Sequence, residues 1–176
     1  MFANASPAVR IRLEGNAACD RAAIYAVNEA AFGTSDEANL VDRLRAEHHV
    51  LVSLVAELDS VIVGHILFSR MWINTKSGHI AAVALAPVAV LTTHQRKGIG
   101  GLLIRHGLEL LRSRGESIVI VVGHPAYYPR FGFSTDLTRS IESPFSRQAF
   151  MAMELQKGVL DRIHGQVVYP PPFGIP

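Results

Sequence analysis

The run HIAAVALAPVAVL, residues 79–91, is apolar enough for a long strand, yet it carries Pro87 in its interior. Proline has no backbone N–H to give to a ladder, so at this position it implies a bulge or an unpaired edge. The chain is expected to build a sheet that is interrupted at Pro87. The next segment, HQRKGIGG at residues 94–101, places Gly98, Gly100 and Gly101 at the start of an amphipathic pattern. Glycine costs an interior helix position roughly 1 kcal/mol against alanine. What it gives in return is access. The first N–H groups of a helix are unpaired and carry partial positive charge, and without side chains an anion approaches them closely. Arg96 and Lys97 add positive potential at the same place. Strand, glycine loop and helix are together read as a phosphate or diphosphate site at the C-terminal edge of a sheet.

Two other phosphate loops fail on spacing. No G-x-x-x-x-G-K-[ST] string occurs, which excludes a Walker A loop. The stretch Gly98-Ile99-Gly100-Gly101-Leu102-Leu103-Ile104 lacks the third glycine of a dinucleotide fingerprint. Composition narrows the class further. Seventeen Lys plus Arg against fifteen Asp plus Glu leave +2, too little charge to indicate a nucleic-acid partner. One cysteine, Cys19, excludes an internal disulfide and suits a reducing compartment. The N-terminal MFANASPAVRIRL shows no secretory pattern, and no apolar run reaches the ~18 residues of a membrane span. A soluble cytoplasmic protein with no membrane partner is expected, as one domain over 1–176 with its core at about 9–168.

The remaining pattern is that of a mixed sheet with helices packed on it. AVRIRL alternates like a half-buried strand, and residues 17–32 read as a helix with Ala23, Val27 and Ala30 or Ala31 on one stripe. Thr34 with Glu37 forms a capping-box pattern before a short helix that buries Leu40, Val41 and Leu44. Residues 50–58 and 61–73 flank Asp59-Ser60 as a hairpin, and Ser77-Gly78 marks the next turn. Residues 98–114 form the clearest helix, with Leu103, Gly107 and Leu110 on one face and Gly115 as its stop. SIVIVVG is a strand covered on both sides, PAYYPRFGF a short aromatic helix or loop, and RQAFMAMEL and GQVVYP are later strands. The proline-rich tail carries no predicted element.

Gln95-Arg96-Lys97-Gly98-Ile99-Gly100, followed some way on by Tyr128-Pro129-Arg130-Phe131-Gly132-Phe133, resembles the two signatures of the GNAT superfamily of N-acetyltransferases. The order of elements agrees over nearly the whole chain. The resemblance implies an α/β (α+β) fold: a mixed, mostly antiparallel central sheet with a splayed, bulged strand and helices on both faces. It implies acetyl-CoA as cosubstrate and no metal. Val88, Ala89 and Val90 would pair by main chain with the pantetheine arm. Amides from Arg96 to Gly101, through Lys97, Gly98, Ile99 and Gly100, would hold the pyrophosphate, with Gln95 and Arg96 reaching it by side chain. Tyr128 stands at the family's general-acid position, and a backbone N–H at the bulge, that of Val90, would face the oxyanion.

The base is less defined. The strand LAPVAV carries no carboxylate, so His124 at the end of the next strand is the leading candidate, with His65 and Glu57 on the hairpin as others. Where the family often has asparagine, this chain has Gly123-His124-Pro125. The implied acceptor is an amine of a small molecule, an amino acid or a protein terminus. Acidic residues at 29–48 (Glu29, Asp36, Glu37, Asp42) are available to attract a cationic one. A catalytically idle acyl-CoA-binding module is the second reading and a nucleotide-binding protein the third. Pairing into a homodimer through a free sheet edge stays open.

Overall fold

The computed structural model describes residues 8–15 and 18–175. Ala17, the expected first residue of the first helix, and residues 1–7 of the N-terminal stretch lie outside the described residues. The strands are β1 (Arg10–Leu13), β2 (Val50–Leu58), β3 (Val61–Thr75), β4 (Gly78–Val90), β5 (Ile118–Val122), β6 (Ile141–Glu142), β7 (Phe150–Glu154) and β8 (Gly165–Val168). The helices are α1 (Ala18–Phe32), α2 (Asp36–Ala46) and α3 (Ile99–Ser113). Strand order is β1-β2-β3-β4-β5-β7, with β8 pairing both β3 and β6. Only β4–β5 and β6–β8 are parallel. No helix among the described residues is long and apolar enough to cross a membrane.

Alternation decides which residues reach each face. Val83, Leu85, Val119 and Val121 meet Leu103, Ile104, Leu108 and Leu111 of α3. The other face divides in two. Ile24, Val27, Val41 and Leu44 of α1 and α2 cover Val55, Leu67 and Ala89. Further along, Ala82, Ala84, Ile118 and Ile120 are covered by Ile141, Leu160 and Ile163. Helices therefore lie on both faces, as the sequence led one to expect. The β2–β3 hairpin turns through Asp59 (φ 49°) and Ser60 (φ 65°), the two positive-φ residues that a two-residue turn between right-twisted strands requires. Gly107 faces the sheet so closely that a Cβ there would lie 2.2 Å from the Phe68 ring. At the end of α3, Gly115 at φ 81° lets Glu116 N–H reach the Leu111 carbonyl at 3.1 Å, a Schellman closure.

Three details differ from the sequence pattern. The expected stripe of α1 holds at Val27, with Ala23 and Ala31 half-buried and Ala30 exposed, but it also buries Asp20, Ile24 and Asn28, because the two polar members find partners. Arg12 clamps Asp20 in a two-pronged contact at 2.7 and 3.0 Å and holds its carboxyl down at about 2, with Gly15 N–H assisting. At α2 the N-cap is Ser35, and Thr34 Oγ1 lies 3.5 Å from the Glu37 carboxylate, so no capping box forms. The tail is ordered: Pro171–Phe173 makes a 3₁₀ turn, Pro172 is buried, and Phe173 packs where the two clusters of that face meet.

A buried polar chain joins α1 to the sheet. Asn28 Nδ2 lies 3.1 Å from His65 Nδ1, His65 Nε2 lies 3.0 Å from Ser53 Oγ, and Ser53 donates to Glu14 at 2.5 Å. Glu14 is in turn paired with Arg45 at 2.8 Å. Asn28 and Ser53 are both used if His65 carries its proton on Nε2. Burial, assisted by the Arg45 charge, pushes His65 down to about 3. The unfolded chain, with an ordinary histidine near 6.5, then binds the extra proton. Stability from this site is complete above pH 6.5 and is lost as pH falls toward 3. Denaturant unfolding between pH 7 and 4.5 should show a slope approaching ~1.4 kcal/mol per pH unit that His65→Gln removes. Equal slopes in both proteins would contradict this.

Candidate functional site

The site is made by one extra residue. Ile66 pairs with Val88 and Phe68 with Leu85, so Leu67 alone stands opposite Ala86 and Pro87. A bulge of this kind reverses which side chains face which side of the sheet. Before it, Val83 and Leu85 face α3; after it, Val88 and Val90 do, and Ala89 turns to the α1 side, 1% exposed. The backbone changes neighbours as well. β5 pairs with β4 only at Val83–Val119 and Ala84–Ile120 and then leaves it. Leu91 N–H bonds to the Val63 carbonyl at 2.9 Å, so antiparallel alternation turns the peptide groups of Val88 and Val90 away from β3, toward the opening. Gln95 Nε2 meets one of these groups, the Val90 carbonyl, at 3.0 Å.

A groove of about 680 Å³ runs from this opening to the N-terminus of α3. Val88, Val90, Gln95, Arg96, Gly98, Ile99, Gly100, Gly101 and Tyr128 all line it. Three other residues expected there are outside the lining: Ala89, whose side chain is buried toward α1 and whose peptide groups face His65 of β3, Lys97, which is exposed, and His124. Arg96 (φ 59°) and Gly98 (φ 84°) are both left-handed. For glycine this is free, whereas for arginine it stores strain of order 1 kcal/mol, of the kind that persists where surroundings over-determine the backbone. The small residues also make room for aromatics. A Cβ on Gly100 would sit 3.0 Å from Tyr127 Oη, and one on Gly123 would sit 2.2 Å from the Tyr128 ring. Burial pushes the Tyr128 hydroxyl up to about 12, with Tyr127 adding to the effect, so it is a phenol at neutral pH.

His124 has a different employment. Its Nδ1 accepts from Ala126 N–H at 3.2 Å, and its carbonyl accepts from Tyr127 N–H at 2.9 Å and Tyr128 N–H at 3.4 Å. It builds the turn that carries both tyrosines. The two other expected bases are also engaged: Glu57 accepts from Arg12 at 2.9 Å, and His65 is fully buried.

Sequence reasoning missed His94, Arg105, Tyr127 and Arg130, which line the groove. Nothing in the spacing of Arg105 shows that it stacks on Phe131 at 5.1 Å. Arg130 lies over Tyr127 at 4.3 Å. With Arg96 these place three guanidinium groups on a lining that holds no carboxylate. No group of three or more metal-ligating side chains occurs among the described residues.

A family model described as an acetyltransferase (GNAT) domain matches residues 17–135. The uncharacterized N-acetyltransferase YjhQ of Escherichia coli is 42% identical over 116 residues, 65% of this chain and 64% of that protein, so the match spans just under two thirds of the relative. The crystal structure of YhbS from Escherichia coli in complex with CoA superposes with a TM-score of 0.88 at 28% identity, covering 99% of this chain and 96% of that one. A GNAT family acetyltransferase from Brucella melitensis in complex with acetyl-CoA gives 0.79 at 35% identity, covering 94% and 98%. If the guanidinium groups hold phosphate, replacing Arg105 and Arg130 together by Gln should weaken coenzyme A binding roughly tenfold or more in calorimetry and flatten its salt dependence. Unchanged affinity would contradict that role. From the matched family model, the relatives and the fold they share, the chain belongs to the GNAT family of acetyltransferases.

Proposed function

We propose that the protein is an N-acetyltransferase that moves the acetyl group of acetyl-CoA to a primary amine by direct attack. The observation that carries this is the opened edge of β4. The Val88 and Val90 peptide groups, freed from β5, lead straight into a glycine-lined helix start with arginines around it. An extended amide-bearing arm pairs with the first, and a pyrophosphate fits the second. Relatives whose structures contain CoA or acetyl-CoA support the same ligand here.

In this proposal the thioester carbonyl lies at the opening, with the Val90 N–H directed at its oxygen. A neutral amine adds to the carbonyl carbon, forming the C–N bond and moving the π pair onto oxygen. A backbone donor placed for that oxyanion is worth roughly 3 kcal/mol. Collapse breaks the C–S bond, and the Tyr128 hydroxyl gives its proton to the departing thiolate. The proton lost from nitrogen passes to solvent water. His124 acts through the turn it builds, since its Nδ1 is already occupied.

Tyr128→Phe keeps the ring that packs on Gly123 and edges Phe133 at 5.8 Å, and removes only the acid. Thiol release should fall about 100-fold in kcat, the lower range for a general acid, with coenzyme A affinity within about twofold of the parent. Equal kcat in the two proteins would remove Tyr128 from the chemistry. Tight coenzyme A binding without turnover on any amine would make the chain a binding module.

A further inference from the structure

The opening between β4 and β5 has two sides, and the groove occupies only the side of α3. Beneath it, on the opposite face, Ala84 and Ile120, the last paired residues, floor a second cavity of about 70 Å³. Phe145, Tyr169, Phe173 and Ile175 wall it. The rings are in contact: Phe145 and Tyr169 stand edge to face at 5.9 Å between centroids, and Tyr169 and Phe173 are tilted at 5.1 Å. Its lining contains no charged side chain, and Glu29, Asp36, Glu37 and Asp42 are not part of it. The Tyr169 hydroxyl oxygen is buried and has no hydrogen-bond partner among the described residues. A buried hydroxyl left unpaired costs about 1–3 kcal/mol, so a native fold that keeps one calls for an explanation.

We propose that this aromatic cavity is the acceptor site and that it takes a small primary amine on an apolar stem, with the Tyr169 hydroxyl as its one polar anchor. The inference rests on the acetyl-transfer reading above and adds the substrate class to it. The sheet is closed by hydrogen bonds up to Ala84 and Ile120, so beyond that pair the two faces communicate. A thioester entering from the α3 side would present its carbonyl to a nucleophile held on the other. At ~30 Å³ per water, 70 Å³ holds about two or three non-hydrogen atoms, which fits a short alkyl stem. An apolar wall also acts on the nucleophile itself. It disfavours the ammonium over the free amine, so the attacking form is supplied without a carboxylate base. A second cationic group on the stem would have to enter the same apolar space unpaired.

The test uses the full chain, acetyl-CoA and two amines of equal length, n-propylamine and 1,2-diaminoethane. The expected result is a kcat/KM at least tenfold higher for n-propylamine. Tyr169→Phe should lower kcat/KM for n-propylamine about tenfold while leaving the KM for acetyl-CoA unchanged. Its Tm should not fall, because the hydroxyl has no partner among the described residues; a purely structural role would move Tm instead. Preference for the diamine, or indifference of n-propylamine turnover to Tyr169→Phe, would overturn the acceptor site and leave acetyl transfer standing. Absence of thiol release with these and with every other amine in a wider panel would overturn both.

Discussion

The separation of β4 from β5 is the constraint on which the rest of the molecule depends. Two strands that pair in parallel at Val83–Val119 and Ala84–Ile120 would ordinarily continue to do so. The extra residue opposite Leu67, with a proline in the bulge, ends that pairing and reverses the facing of the strand beyond it. Three consequences follow from this one irregularity. Val88 and Val90 turn toward α3, Ala89 turns into the α1 and α2 core, and peptide groups that would have been spent on a ladder are left available. One cavity lies on each face of the sheet beside the gap.

Around that gap, absence of side chain matters as much as presence. Gly100 and Gly123 are where Tyr127 and Tyr128 rest, and the four-ring cluster with Phe131 and Phe133 fixes both hydroxyl-bearing rings. Arg105 and Arg130 are held against those same rings, so the positive charge of the groove has an aromatic scaffold. On the other face the same device recurs with Phe145, Tyr169 and Phe173. There it carries no charge at all. The contrast divides the labour: a phosphorylated ligand suits one face and an apolar one the other.

Much of this was legible in the sequence where backbone chemistry dictates the residue. Pro87 marked the bulge, Gly98 and Gly115 marked the two ends of α3, alternation marked β1, the Asp59-Ser60 turn marked the β2–β3 hairpin, and apolar runs marked β4 and β5. What was not legible depends on partners distant in the chain. Asp20 and Asn28 of α1 are polar yet buried, because Arg12 and His65 reach them from the sheet. The stacking of Arg105 depends on Phe131, 26 positions further along the chain. The tail after Val168 carries too many prolines to show a periodicity, yet Phe173 is anchored by the two clusters it bridges. His124 was singled out for its ring chemistry, whereas its contacts in the structure are those of a turn.

The central claim is that the peptide N–H groups of Val88 and Val90 are left unpaired by the splay and are taken up by coenzyme A. Amide hydrogen exchange at these two residues, measured with and without saturating coenzyme A, tests it most directly. The account predicts fast exchange at both in the free protein, against slow exchange at Val83 and Ala84 in the closed part of the same strand. It predicts at least tenfold slowing at one or both when the ligand binds. Slow exchange in the free protein, or no change at either amide under conditions where calorimetry shows coenzyme A bound, would contradict it.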